Sequence, residues 1–134
     1  MENNNSVCYV ALINEIKPIE GADNIEQIVV GGWNCIAQKN TYKVNDFVIV
    51  ATTDAIIPVE LSDAMAVTNY LRKGQRVRTV KLRGVYSECL LIPMKFNKQS
   101  LGDNYSEGKD MMEIMGIFKY EPPFKQIQLS SGRK

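Results

Sequence analysis

The alternation of apolar and polar positions along the chain is that of a small β protein: short apolar runs cut by turn residues, with little helical periodicity. Val7 to Ile16 is a long first strand, nearly continuous in Val, Tyr, Leu and Ile. Lys17 to Asn24 breaks it, with Pro18 and Gly21 as punctuation and Asp23 or Asn24 able to turn the backbone. Ile25 to Val30 and Trp33 to Ala37 are two strands joined by Gly31-Gly32, a pair suited to the positive φ angles of a tight hairpin. After a loop over Lys39 to Asn45 and a turn at Asn45-Asp46, Phe47 to Ala51 reads as a buried strand with Phe47 in the core. The short run Ile56-Ile57 must stop at Pro58, which has no N–H to donate to a ladder. Leu61 to Leu71 is predicted as a short helix with Ser62 as its N-cap. Asp110 to Met115 is predicted as a second, capped by Asp110 and stopped at Gly116, with its methionines in the core. The pattern predicts an all-β chain, a small OB-fold barrel of five to six strands with one or two short helices; an SH3-like barrel is the alternative.

One stretch departs from this apolar alternation. From Arg72 to Arg83 the chain carries Arg72, Lys73, Arg76, Arg78, Lys81 and Arg83, and no acid follows until Glu88. Val77 alternates with Arg76 and Arg78, whereas Val80 and Leu82 alternate with Lys81 and Arg83 in the opposite parity. Placing Val77, Val80 and Leu82 all in the core requires one extra residue near Thr79, a β-bulge. That register sets Arg76, Arg78, Lys81 and Arg83 on one outward face. Such a face is either a solvated strand surface or a phosphate-contacting stripe.

Composition sharpens this. The 134 residues suit one domain with a real core. The formal net charge of +1 conceals a polarity: residues 1–67 hold three basic and nine acidic side chains, residues 68–134 thirteen basic and six acidic. That division points to one basic face. Cys8, Cys35 and Cys89 are odd in number and far apart, and the chain has no histidine. Zinc binding and a disulfide framework are both unexpected, and three buried, reduced cysteines in an intracellular protein are the expectation. The start MENNNSV lacks a signal pattern and no apolar run is long enough to span a membrane, so no membrane partner is expected.

Catalytic handles are few. Without histidine there is no Ser-His-Asp or Cys-His pairing, and no P-loop or Lys-x-Asp-Gly nucleotidyl-transfer motif occurs; Lys109-Asp110 is followed by Met111-Met112. Asp23 and Asp54 are isolated carboxylates expected in turns or caps. Trp33, Tyr42, Phe47, Tyr70 and Tyr86 are candidate stacking platforms for bases. Of these, Tyr70 and Tyr86 flank the basic run and are expected to face a partner, and Trp33 can instead close one end of the barrel.

An ordered series of motifs then carries a resemblance: Pro18 to Glu26, Gly32-Trp33, Val44 to Val48, Asp54, Pro58, Arg76 to Ser87 and Lys119 to Pro123. From Val7 to about Pro123 the chain resembles the N-terminal OB module of the fifth family of ATP-dependent RNA ligases, the Deinococcus-type family. More weakly, its Pro-x-x-Gly-Ala-Asp and Leu-Arg-Gly-x-x-Ser segments resemble tRNA-binding OB domains. Two positions depart from the pattern: Glu88-Cys89 stands where a glycine is usual, and Asn45 replaces another.

The resemblance implies a tail over 1–6, expected to be disordered, an OB domain over 7–117, and a linker over 118–134 toward a nucleotidyltransferase domain that this chain does not carry. It implies no catalytic residue, metal or cofactor here. ATP and a divalent metal belong to the parent ligase, which seals 3′-OH/5′-phosphate breaks. The chain's expected part is to grip nicked or duplex RNA through Arg72, Lys73, Arg76, Arg78, Lys81, Arg83, Tyr86 and Ser87, with Gly84 shaping the turn and the Ser87 hydroxyl bonding either locally or to the nucleic-acid backbone. The other readings are a tRNA- or structured-RNA-binding protein, and an interaction domain whose basic face docks its own ligase domain.

Overall fold

A computed structural model describes residues 6–96 and 106–121. Its centre is a five-stranded antiparallel sheet, ordered β3 (Trp33–Gln38), β2 (Ile25–Val30), β1 (Cys8–Pro18), β4 (Phe47–Thr52) and β8 (Cys89–Ile92), that curls into a nearly closed barrel. The long strand β1 (Cys8–Pro18) makes this possible by serving two partners. Its first half pairs with β4 (Phe47–Thr52), Cys8 opposite Ala51 through Leu12 opposite Phe47. Its second half pairs with β2 (Ile25–Val30), Ile13 opposite Val30 through Pro18 opposite Glu26. The change of partner falls at a bulge between Ile13 and Glu15, where Asn14 turns its Oδ1 to accept the Gly31 N–H at 3.0 Å. The β2–β3 hairpin, with β3 at Trp33–Gln38, turns through Gly31 and Gly32 at φ 54° and 85°, as the paired glycines predict.

β4 is buried on both faces, and two cores result. Val48 and Val50 face a cluster with Ala11, Ile13, Ile28, Val30, Cys35, Cys89 and Leu91. Ile49 and Ala51 face a second with Val10, Ile57, Leu61, Val77, Met111 and Met115. The second cluster is roofed by α1 (Val59–Ala64) and α2 (Met112–Met115). Met111 and Met115 are core residues as expected, and α2 ends at Gly116 in the left-handed region. The helix starts at Met112, with Met111 rather than Asp110 in the N-cap position, although Asp110 Oδ1 accepts the Met112 N–H at 3.1 Å.

Several local expectations change. The first helix spans only Val59–Ala64, followed by a single 3-10 turn at Thr68–Tyr70. Its N-cap is Pro58; Ser62 is fully buried inside it, donating to the Val59 carbonyl at 3.2 Å and accepting from Gln75 Nε2 at 2.9 Å. Phe47 starts β4 at the end of the strand and is 37% exposed, not core, although Ile49, next on the same pleat face, is fully buried. Asn45 does adopt the left-handed conformation, φ 77°, in place of glycine.

The cysteines also depart from expectation. Cys8 is a buried free thiol, pushed up to about 12 by burial and by the nearby Asp110 charge. Cys35 and Cys89, 54 residues apart, form a disulfide. It lies at the barrel's open seam, between β3 and β8 (Cys89–Ile92), strands at opposite ends of the sheet order that close on each other. Sequence distance hid this pairing, since only the curling of the sheet brings its two ends together.

The expected tail over 1–6 falls outside the described residues except for Ser6, whose hydroxyl donates to Asp110 Oδ1 at 2.8 Å. The stretch expected as linker from 118 onward begins with β9 (Phe118–Lys119), which pairs with β5 (Ala55–Ile56); its remainder, 122–134, lies outside the described residues, as does most of the predicted loop, 97–105.

Candidate nucleic-acid interface

The basic run forms two successive turns. In the first, Arg72 bridges to Arg76 around Gly74 and Gln75, at φ 86° and 70°. The Arg72 N–H donates to the Arg76 carbonyl at 2.8 Å. Gln75 anchors this turn from within: its Nε2 donates to the Ile57 carbonyl at 3.0 Å and to Ser62 Oγ at 2.9 Å. Lys73-Gly74 is a turn signal that the charge pattern masked.

The second turn is a hairpin of β6 (Val80–Leu82) and β7 (Val85–Ser87). Leu82 pairs with Val85, and the two residues between, Arg83 and Gly84, have φ 51° and 82°. This is the two-residue primed turn whose twist matches the strands, and Gly84 shapes it as expected. Lys81 lies opposite Tyr86, so the two share a face; Lys81 Nζ sits 5.2 Å from the Tyr86 ring centroid.

The single outward stripe is therefore corrected. No strand runs through 77–79, and the parity break at Thr79 is an interruption between two turns, not a bulge. Val77 is buried as expected, while Leu82, carried beyond the core on the hairpin, is 45% exposed. Arg72, Lys73, Arg78, Lys81 and Arg83 are exposed, and among the described residues none of them has a carboxylate within salt-bridge distance.

Arg76 turns away from that set. It is 17% exposed, lies 3.9 Å from Asp54 Oδ1, and stacks its guanidinium 4.0 Å from the Tyr120 ring centroid. Ser87 is buried: Oγ accepts the Ile36 N–H at 3.1 Å and contacts the Cys89 carbonyl. Its hydroxyl is spent on joining β7 to β3 and offers no surface contact. Tyr86 and Tyr70 are both well exposed.

The departure at Glu88-Cys89 acquires a structural reason. The Glu88 N–H donates to the Asn34 carbonyl at 2.7 Å, and its carboxylate accepts the Asn34 N–H at 2.9 Å. Beside these, Ser87 and the Cys35–Cys89 bridge complete the seam. β3 and the β7–β8 junction thus close the barrel through one backbone bond, two side chains and the disulfide, where a full ladder is missing. Trp33 closes one end, with Nε1 donating to Tyr9 Oη at 2.6 Å, and Tyr42 packs against the same cluster. Neither is placed as a free stacking platform.

Two motifs meet at the hairpin tip. A Cβ at Gly21, φ 80°, would lie 3.5 Å from Arg83 Nη1, so the loop after β1 passes beneath the Arg83 guanidinium. A shallow, open depression of about 430 Å³ lies beside the first turn, lined by Thr53, Asp54, Arg72, Val77, Arg78 and Thr79. Thr53, Thr79 and Asp54 were not foreseen there, because β4 and the basic run meet only in the folded barrel. Among the described residues no cluster of His, Cys, Asp or Glu could hold a metal ion, and no helix is long and apolar enough to cross a membrane.

A curled five-stranded antiparallel barrel whose long first strand serves two partners, bearing a basic hairpin on its surface, defines an OB-fold. A family profile described as an OB-fold domain matches residues 7–94, and the chain belongs to that family. Among solved structures it is similar to Naegleria gruberi RNA ligase. The ligase with PPi is 35% identical at TM-score 0.74, covering 88% of this chain and 36% of the ligase chain. A mutant with ATP and Mn is 32% identical at TM-score 0.76, covering 92% and 37%. A mutant in the apo form is 35% identical at TM-score 0.74, covering 88% and 36%. This chain thus spans little more than a third of the length of those ligases. A comparison with curated proteins found no match.

Proposed function

We infer that this chain is the RNA-gripping OB domain of an ATP-dependent RNA ligase, one that holds nicked or duplex RNA for 3′-OH/5′-phosphate sealing by a nucleotidyltransferase domain. ATP and a divalent metal would act in that catalytic domain. The observation that carries the reading is the set of five exposed cations on two adjoining turns, none neutralised by a carboxylate among the described residues. Exposed Arg and Lys clustered within a dozen residues, without carboxylate partners, attract a polyanion and release its counterions. The likeness to Naegleria gruberi RNA ligase supports RNA as that polyanion. Tyr86, held beside Lys81, adds a ring on which an unpaired base at a break can stack.

The test is fluorescence anisotropy with a nicked RNA duplex at low salt, comparing the wild type with Lys81→Glu/Arg83→Glu. Both side chains are exposed, so circular dichroism should be unchanged while affinity falls at least tenfold, the order expected for two reversed phosphate contacts. Equal affinity of the two proteins would overturn the reading. Competition with tRNA in the same assay separates this function from a tRNA-binding one.

A further inference from the structure

We propose that the depression between the end of β4 and the first basic turn is a subsite for a single phosphate group, with Arg72 and Arg78 as its cationic walls and Thr53 and Thr79 supplying hydroxyls. The proposal rests on the RNA-binding reading and assigns one site within it.

The argument begins with charge. Six residues line the depression: two arginines, two threonines, one valine and one aspartate. Asp54 would repel an anion if its charge were free. That charge is partly offset, because Arg76 lies 3.9 Å from its Oδ1. Arg76 is itself fixed by stacking on Tyr120, and the Tyr120 N–H donates to the Asp54 carbonyl at 2.8 Å. Arg76 and Tyr120 are not among the lining residues, and the Arg76 charge offsets that of Asp54 only in part, because the carboxylate is 54% exposed. The cations of the lining, Arg72 and Arg78, have no carboxylate partner among the described residues.

Geometry adds a second argument. Arg72 is held by its backbone bridge to Arg76, and Arg78 by a long contact of Nε with the Tyr70 carbonyl, 3.4 Å. Between them Val77 is pinned to the barrel, its N–H donating to the Ala55 carbonyl at 2.9 Å. Arg72 thus lines the hollow from anchored backbone, and Arg78 lines it with its guanidinium steadied by the Tyr70 carbonyl. Guanidinium forks and hydroxyls are the donors that match phosphate oxygens. The hollow, about 430 Å³ and open to solvent, has room for a phosphate group with the adjoining nucleotide left outside. Lys81, Arg83 and Tyr86 are not among its lining residues, so they would engage a neighbouring part of the same RNA.

The test has two arms on the 134-residue chain. In the first, inorganic phosphate is titrated at constant ionic strength and backbone amides are followed by NMR. Shifts concentrated at Thr53, Asp54, Arg78 and Thr79, and lost in Arg78→Gln and in Thr79→Val, are the expected result. Diffuse shifts, or shifts centred on 81–86, would overturn the subsite. The spectra also report whether each variant is folded. In the second arm, 5′-phosphorylated and 5′-hydroxyl forms of one nicked duplex are compared by anisotropy. Arg78→Gln should weaken binding about tenfold, the order of one charge-assisted contact. A loss confined to the 5′-phosphorylated form assigns the site to a terminal phosphate, an equal loss in both to an internal phosphodiester, and no loss in either overturns the proposal. If Lys81→Glu/Arg83→Glu fails to weaken RNA binding while localised phosphate shifts persist, the RNA-gripping reading falls and the anion site stands. If that variant does weaken RNA binding but phosphate shifts nothing at the depression, the reverse holds.

Discussion

Salt dependence offers the most direct test of the basic face, because the structure supplies the number of charges. Five cations are exposed and unpaired: Arg72, Lys73, Arg78, Lys81 and Arg83. If each neutralises one phosphate, log K falls against log salt with a slope of about −3.5 to −4.5, from roughly 0.7 per contact on single strands to 0.9 on duplex. A fourfold rise in salt, about 50 to 200 mM, then weakens binding roughly 100- to 500-fold. Arg76 is left out of this count because its charge already faces Asp54. Replacing two hairpin cations, Lys81→Gln/Arg83→Gln, should flatten the slope by about 1.4 to 1.8. The assay is a set of anisotropy titrations on a nicked RNA duplex at four or more salt concentrations. A wild-type slope shallower than about −1, or a double variant with the wild-type slope, would refute the reasoning, since either result means that these side chains displace no counterions.

Three further outcomes follow from the packing. Reducing Cys35–Cys89 releases a constraint across 54 residues of chain, and the chain-entropy relation puts the loss at about 4 kcal/mol; an unchanged urea midpoint on adding a phosphine reductant would show that the bridge does not hold the seam. Gly84→Ala places a Cβ on a residue at φ 82° and should cost about 1 kcal/mol by urea denaturation, with no loss if the primed turn is wrong. The Tyr42 phenol is pushed up to about 12 by burial and by the Asp46 charge. Folding therefore holds its proton more tightly than the unfolded chain does, so its contribution is complete below pH 10 and is lost as pH rises toward 12. Tyr42→Phe should flatten that part of the stability curve, and an unaltered curve would count against it.

Much of the barrel was legible in the sequence because its signals are local. The five main strands, the Gly31-Gly32 hairpin, the stop at Pro58, the left-handed Asn45 and the end of α2 at Gly116 each depend on a few adjacent residues and their allowed φ angles. The concentration of positive charge in the second half was equally plain. Where the charges point was decided elsewhere. Arg76 and Arg78 sit two residues apart and should share a strand face, yet one is drawn in by Asp54 and Tyr120 and the other remains exposed. Of the two roles open to Ser87, a local bond or one to RNA, the structure takes the first with Cys89 and adds a bond to β3, which passes beside it. Cys35 and Cys89 became partners because the two ends of the sheet order close on each other. These are contacts between segments tens of residues apart, and their geometry is set by how the sheet curls and where its seam closes. Side-chain alternation records which residues are buried, while the meeting of distant strands decides which polar and charged groups have partners and which stay free to bind.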